Sequence, residues 1–313
     1  MFKGDRYNLP FPGRAGGVSP PDEFEGLLDT YQAAIGVGLR RLSTDHTQSV
    51  TLRRADLATE TFGWTGTGHL PIAAIESWLD GQQGFVARVY GAGTLDDDLF
   101  QTTHDDQPTI SDVNGVVHRH PDTGKPYIQF NGRFFHCEAV SALRSTDWAF
   151  AYSVIRFITD GPWNAIIWQA TQGASTTGRM NVQTGNSISD RFRLYPLTSR
   201  LDGQSASAGT SVYYRYQTAY TMLLHSFANW AGGIRGWRRW TEYDGGLDSQ
   251  GTASMGTSGF TSDTDSLHFT VGADNAGNRS GNYTLSEFIL FNDDTHEAVR
   301  QTVIPDNIRG YWQ

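Results

Sequence analysis

From residue 27 to the C-terminus the chain is a succession of short alternating or apolar segments, each closed by glycine, serine, asparagine or aspartate. Such punctuation favours strands joined by tight turns, because Gly and Asn supply the backbone conformations that hairpins need. Residues 49–54, 61–64, 84–90 and 126–130 read as strands in the first half. The second half is denser, with strands expected at 148–159, 165–170, 179–183, 191–195, 212–216, 220–229, 236–243, 266–272 and 283–291. Between the early strands, Ile72, Ile75 and Leu79 have the spacing of a short amphipathic helix within residues 70–80. A second helix is expected within 293–309, capped by Asp293 or Asp294 and carrying Val299 and Val303 on one face. Pro305 should kink or end it. Many strands with little helix predict an all-β sandwich or jelly roll, and no internal repeat is apparent.

Composition removes several function classes. The lone Cys137 excludes an intrachain disulfide framework. Neither a CxxC pair nor an HExxH motif occurs, which removes the commonest zinc patterns. No run of about 18 apolar residues is present, so membrane insertion is not expected. The N-terminal residues lack the apolar core of a secretory signal. The net charge of −9 argues against a nucleic-acid partner.

Residues 1–26 differ from the rest: Pro10, Pro12, Pro20 and Pro21 oppose both helix and central strand. Two readings stand, a floppy terminus or an extended arm that orders on a partner. Phe2, Tyr7, Leu9 and Phe11 favour the arm, since they give it something to bury. The domain division is therefore 1–26 as arm and 27–313 as sandwich.

Four constellations could carry chemistry. Asp96, Asp97 and Asp98, with Asp105 and Asp106, could offer oxygens to calcium, but EF-hand spacing is absent and solvated loop charge is the expectation. Glu242, Asp244 and Asp248 are read the same way. His118 and His120 would share a strand face and could ligate a metal, yet no third ligand follows, so surface histidines are expected. Trp230, Trp237 and Trp240, with Arg235, Arg238 and Arg239, form the densest aromatic and basic cluster. It reads as core on one face with cation–π cover on the other, or as a platform for a sugar or a partner subunit. The segment around Ser258 does not fit the Gly-x-Ser-x-Gly template of a hydrolase elbow.

Particular segments resemble a known group. Leu28-Asp29-Thr30-Tyr31, Gly38-Leu39-Arg40-Arg41-Leu42 and Val50-Thr51-Leu52-Arg53-Arg54 look like the opening of a group of bacteriophage virion proteins. Gly84-Phe85-Val86, Gln107-Pro108-Thr109-Ile110, Ile128-Gln129-Phe130-Asn131-Gly132, Val271-Gly272-Ala273-Asp274 and Leu285 through Asn292 continue the likeness in order. Those proteins carry a concanavalin A-like, laminin G-like jelly roll. The same pattern is similar to the catalytic jelly roll of α-L-arabinofuranosidases. That resemblance implies Asp274 as general acid, beside a glutamate nucleophile from the middle of the domain.

Residues 139–241 contain no glutamate, and near Met180-Asn181-Val182-Gln183 the expected position holds an amide. An amide is a poor nucleophile. The enzymes' Tyr-Asp-Gln-Ser-Gly motif is replaced by Tyr90-Gly91-Ala92-Gly93, and their disulfides cannot form here. The expectation is a non-enzymatic phage structural protein in the virion, made in the host cytoplasm. It would dock through Phe2, Tyr7, Leu9 and Phe11 on other virion proteins and display its jelly roll, with Trp237, Trp240, Arg239 and Asp274 as binding residues for a host-surface glycan. Tail fibre, head fibre and capsid decoration all fit, as does a homo-oligomer; no cofactor is expected, with calcium as the alternative. Two rivals stand: a glycoside hydrolase pairing Asp274 with Glu138 or Glu242, and a capsid cement protein that binds no glycan.

Overall fold

The structure is a computed structural model that describes residues 25–95, 97–138, 148–158, 166–172, 178–183, 192–193, 213–214, 221–229, 234–241, 247–254, 267–273, 277–278 and 280–312. The first half holds α1 (Leu27–Thr30), β1 (Ile35–Gly38), β2 (Gln48–Arg54), β3 (Thr59–Gly63), α2 (Ile72–Leu79), β4 (Gly84–Val89), β5 (Leu99–Phe100), β6 (Ile128–Gln129) and β7 (Phe135–Cys137). The second half holds β8 (Trp148–Phe157), β9 (Ile166–Gln172), β10 (Gly178–Gln183), β11 (Phe192–Arg193), β12 (Tyr213–Tyr214), β13 (Met222–Asn229) and β14 (Ile234–Thr241). It closes with β15 (Leu247–Ser254), β16 (Leu267–Val271), β17 (Tyr283–Phe291) and α3 (Val303–Trp312).

The strands form two antiparallel sheets, as the sequence predicts for a jelly-roll sandwich. A seven-stranded sheet runs β1-β17-β8-β13-β14-β15, with β6 also on β17; an eight-stranded sheet runs β10-β9-β16-β7-β5-β4-β2-β3. β11 and β12 pair with each other. All nine residues of β17 are buried, its polar Thr284, Ser286 and Glu287 included. On the eight-stranded sheet alternate residues turn inward. Trp168 of β9 stacks on Phe269 of β16 at 5.7 Å, and both rings lie 5.8 Å from Phe288 of β17, joining the two sheets. Each such side chain contributes about 1.5–3 kcal/mol by leaving water.

The C-terminal helix is tied to the last strand and to the segment just after β1 through a buried ion pair. Glu287 on β17 accepts from Arg40 Nε at 2.6 Å and Nη2 at 2.9 Å, and from Trp312 Nε1 at 2.6 Å. Arg40 Nη1 donates to Asn307 Oδ1 at 2.9 Å.

Three local expectations are corrected. Pro305 neither kinks nor ends the last helix but sits in its first turn, where a missing N–H costs nothing. Asp293 accepts from Thr295 N in a turn and caps no helix. His120, expected at the surface, is fully buried and makes a 2.9 Å hydrogen bond through Nε2 to Ser286 Oγ. His118 and His120 both pack on Tyr127, with ring centroids 5.2 and 4.7 Å away, so their shared face points at an aromatic ring.

Candidate functional site

Register places one residue from each of seven consecutive strands in a single row. Thr61 on β3 faces Thr51 on β2, which faces Arg88 on β4. Arg88 faces Phe100 on β5, which faces His136 on β7. His136 faces Thr270 on β16, which faces Gln169 on β9. Directly opposed residues share a face, and residues one step along each strand turn into the core. The row therefore lies on the face turned away from the seven-stranded sheet.

It is open at one end and closed at the other. Thr61 is exposed, while Thr51, Arg88, Phe100 and His136 are half-buried. Thr270 and Gln169 are 1% and 0% exposed. At the open end Thr61 Oγ1, Thr51 Oγ1 and the Tyr90 hydroxyl form a chain of 2.7 and 3.0 Å hydrogen bonds. The Phe100 and His136 rings lie 5.8 Å apart, and Phe134 meets His136 edge-on at 5.1 Å. At the closed end neither the nitrogen nor the oxygen of the Gln169 carboxamide has a hydrogen-bond partner among the described residues. An unmet buried amide costs about 1–3 kcal/mol.

Two carboxylates flank the row. Arg88 Nη1 donates to Asp98 Oδ2 at 2.7 Å and Nη2 to Glu138 Oε1 at 3.1 Å. Burial opposes the Arg88 charge, but the two carboxylates outweigh it and raise its pKa. The backbone of Glu138 also donates to Asp98 O at 3.0 Å, which fixes the two acids side by side.

Asp97 was expected as solvated loop charge and is instead 3% exposed. Its Oδ2 accepts from Gly36 N at 2.6 Å and Gly93 N at 2.9 Å, buckling the loop after β4 to β1. A Cβ on Gly91 would lie 1.9 Å from Asp97 Oδ1, so only glycine admits this carboxyl. Burial raises its pKa from 3.8 to about 7, against the two backbone donors that lower it. A carboxyl raised on folding contributes most stability below the unfolded value and loses it as pH climbs through the folded one. The melting temperature of the wild-type chain should therefore fall between about pH 4 and 7 relative to Asp97→Asn. Parallel melting curves for the two proteins across that window would show that Asp97 does not titrate there.

β16 leads directly into the segment that bears Asp274. Thr270 Oγ1 donates to Ala273 O at 2.7 Å, and Gly272 turns the chain with φ of +105°. A Cβ at Gly272 would approach Phe130 Cδ1 to 2.4 Å and Arg133 O to 2.8 Å. Gly272→Ala should therefore destabilise the fold by about 1–3 kcal/mol, read from denaturant unfolding. An unchanged midpoint would mean that the turn relaxes freely.

Asp274 itself lies outside the described residues, as do Glu242, Asp244, Asp96, Ser258, Trp230, and Phe2, Tyr7, Leu9 and Phe11 of the arm. Trp237, Arg239 and Trp240 belong to β14 of the seven-stranded sheet, opposite Gly251, Asp248 and Leu247 of β15. Their backbone is thus in the other sheet from β16, and the structure does not join them to the row. Arg88, Phe100, His136, Thr270 and Gln169 escaped sequence reading. One signal was available: Gln169 is the single polar residue in Ile166-Ile167-Trp168-Gln169-Ala170. Among the described residues no group of three or more His, Cys, Asp or Glu is arranged to hold a metal ion.

No family model matches the chain, and no curated protein does. Solved structures do. An arabinofuranosidase complexed with arabinofuranosyl-α-1,2-xylobiose superposes with a TM-score of 0.58 at 16% identity, covering 86% of this chain and 61% of that one. A GH54 α-L-arabinofuranosidase soaked with a cyclic sulfate inhibitor gives 0.56 at 15% identity, again over 86% and 61%. A GH54 variant soaked with 4-nitrophenyl α-L-arabinofuranoside gives 0.54 at 14%, with the same coverage. The chain thus spans about three fifths of the length of the enzymes it matches. Its fold is the jelly-roll sandwich found in these glycosidases.

The expectation of a non-enzymatic protein is overturned by that likeness. It rested on the absence of any glutamate from residues 139–241, on the amide near Gln183 and on the replaced Tyr90-Gly91-Ala92-Gly93 motif. β10 shifts register against β9 between Val182 and Gln183, so sequence spacing there does not give facing. Carboxylates beside the row come from elsewhere: Asp98 and Glu138 flank β5 and β7.

Proposed function

We propose that the chain is a glycoside hydrolase of arabinofuranosidase type, with Asp274 as general acid and Glu138 as the partner carboxylate. The superposition of three arabinofuranosidase structures over 86% of the chain carries this reading. The row beside β16 supports it, because its open part offers the Thr61 and Thr51 hydroxyls and the Phe100 and His136 rings, the kinds of group that hold a sugar. Glu138 is favoured over Glu242 because it follows β7, the strand paired with β16, and is exposed beside the row. In such chemistry one carboxyl protonates the departing oxygen while the other attacks the anomeric carbon or activates water.

Incubation of the full chain with 4-nitrophenyl α-L-arabinofuranoside and with arabinofuranosyl-xylobiose should release arabinose. Absence of release from both would overturn the proposal. Display on a phage particle through residues 1–26, with Phe2, Tyr7, Leu9 and Phe11 as anchors, is part of the same reading and draws its support from the sequence resemblance. Mass spectrometry of purified particles should find the chain, and its absence would remove the virion clause alone.

A further inference from the structure

We infer that residues 1–14 fold back onto their own domain and cover an apolar, acid-rimmed patch formed by Leu57, Val113 and Val116. The patch lies at the end of the sandwich that carries the β2–β3 turn. This goes beyond the glycosidase reading and does not rest on it.

Four large apolar side chains are exposed among the described residues: Leu57 at 58%, Val113 at 69%, Val116 at 54% and Val303 at 45%. The first three lie on two turns that meet at Gln82. Leu57 closes the turn between β2 and β3, donating from its backbone N to Arg54 O at 3.0 Å. Beside it, the Asp56 carboxylate is hydrogen-bonded to the Gln82 side chain. On the other side, a Cβ at Gly115, between Val113 and Val116, would lie 3.1 Å from Gln82 O. Exposed apolar groups gathered in this way mark a surface that something covers.

Leu57 carries the sharpest signal. Its φ of +72° is in the left-handed region, where glycine or asparagine is the ordinary occupant. A leucine here both strains the turn and wets an apolar side chain, two penalties that glycine would avoid. Such an outlier on an exposed turn points to a contact made by the side chain.

The rim sets the sign of the partner. Arg54 is paired with Asp56 and Arg119 with Glu76. Exposed Asp80, just before Gln82, has no ion-pair partner among the described residues, and neither has exposed Glu60 on β3. Asp112 accepts from Asn114 N and Val116 N but also lacks a cation among the described residues. The same patch on a second copy is repelled by this surplus, whereas an apolar segment carrying cations is attracted.

Residues 1–14 have that chemistry: Phe2, Tyr7, Leu9 and Phe11 stand among Lys3, Arg6 and Arg14, against Asp5. Reach permits the contact. A Cβ at Gly26 would lie 2.2 Å from Leu42 O, so the chain enters the domain near the loop that leads into β2. The patch is at the far end of that strand, about 23 Å away along its seven residues. Residues 15–24 can span up to about 33 Å, and Ala15-Gly16-Gly17-Val18-Ser19 has the composition of a tether. A tether this short holds the segment at about millimolar effective concentration, so weak contacts suffice.

Trypsin digestion of the full chain, followed by mass spectrometry, tests the inference. Cleavage after Arg6 should be about fivefold or more faster in Leu57→Asn, in Val113→Ser and in Asp80→Lys than in the wild type, because cleavage tracks the undocked population. Asparagine suits the left-handed backbone at residue 57, so that turn is retained. Carbodiimide coupling of the wild type should join Lys3 to Asp80 or Glu60. When unlabelled and heavy-isotope-labelled chains are mixed, these links should stay within one isotope. Equal cleavage rates in all four proteins, no Lys3 link to either acid, or links that mix the isotopes would overturn the inference.

Discussion

Replacing Glu287 by alanine is expected to lower the free energy of unfolding by about 3–5 kcal/mol, the usual cost of orphaning one member of a buried ion pair. Glu287 is 1% exposed and is the shared acceptor of Arg40 and Trp312 Nε1. Its loss leaves a guanidinium at 7% exposure without a counter-charge and an indole N–H without an acceptor. Glu287→Gln should cost less, because an amide oxygen can still accept from one of the two. The pair Arg40→Met with Glu287→Leu should be less harmful than Glu287→Ala alone, since no buried charge is left behind. Urea unfolding of the four proteins checks the order. A single-site cost under about 1 kcal/mol would mean that water reaches the pair.

Asp274→Asn is expected to reduce turnover of a natural disaccharide by about 10²- to 10⁴-fold, the range supplied by a positioned acid or base. The loss should be smaller on 4-nitrophenyl α-L-arabinofuranoside, because nitrophenolate departs without being protonated. The contrast between the two substrates isolates proton donation from binding, which both share. Equal losses on both would assign Asp274 to binding or to folding. Turnover unaffected on either would remove it from the chemistry. Glu138→Gln should abolish turnover on both substrates alike, since the same carboxylate must bond to the anomeric carbon as either leaving group departs.

The sandwich was legible in the sequence wherever apolar character is continuous or alternates. β17 and β8 begin at the residues that their patterns indicate, because strands buried on both faces are predominantly apolar. β1 was missed because its four residues include two glycines, and Gly38 lies close against Glu287. β15, Leu-Asp-Ser-Gln-Gly-Thr-Ala-Ser, carries too few apolar residues to announce itself, as suits a strand at a sheet edge. β5 and β7 are too short for any period. The candidate site was not legible for a different reason. Each strand contributes one residue to the row, so its members are scattered from Thr51 to Thr270, and only strand pairing assembles them. Asp97 misled because an acidic run looks solvated until Gly91 and Gly93, which make room for its carboxyl, and the Gly36 and Gly93 N–H groups, which bind it, are placed around it.

The pairing of Ile35 through Gly38 with Glu287 through Leu290 also bears on how the molecule is made. During synthesis β1 can find its partner β17 only after some 250 further residues have emerged, so it must wait unpaired. Its four residues are short and half glycine, which leaves little apolar edge to aggregate during that delay. Closing so long a loop carries a large entropic cost before any contact rewards it, and folding should be slow for the chain's size. The C-terminal helix, held to Arg40 through Asn307, likewise joins residues far apart in the chain, while β1 stays at the edge of its sheet beside β17.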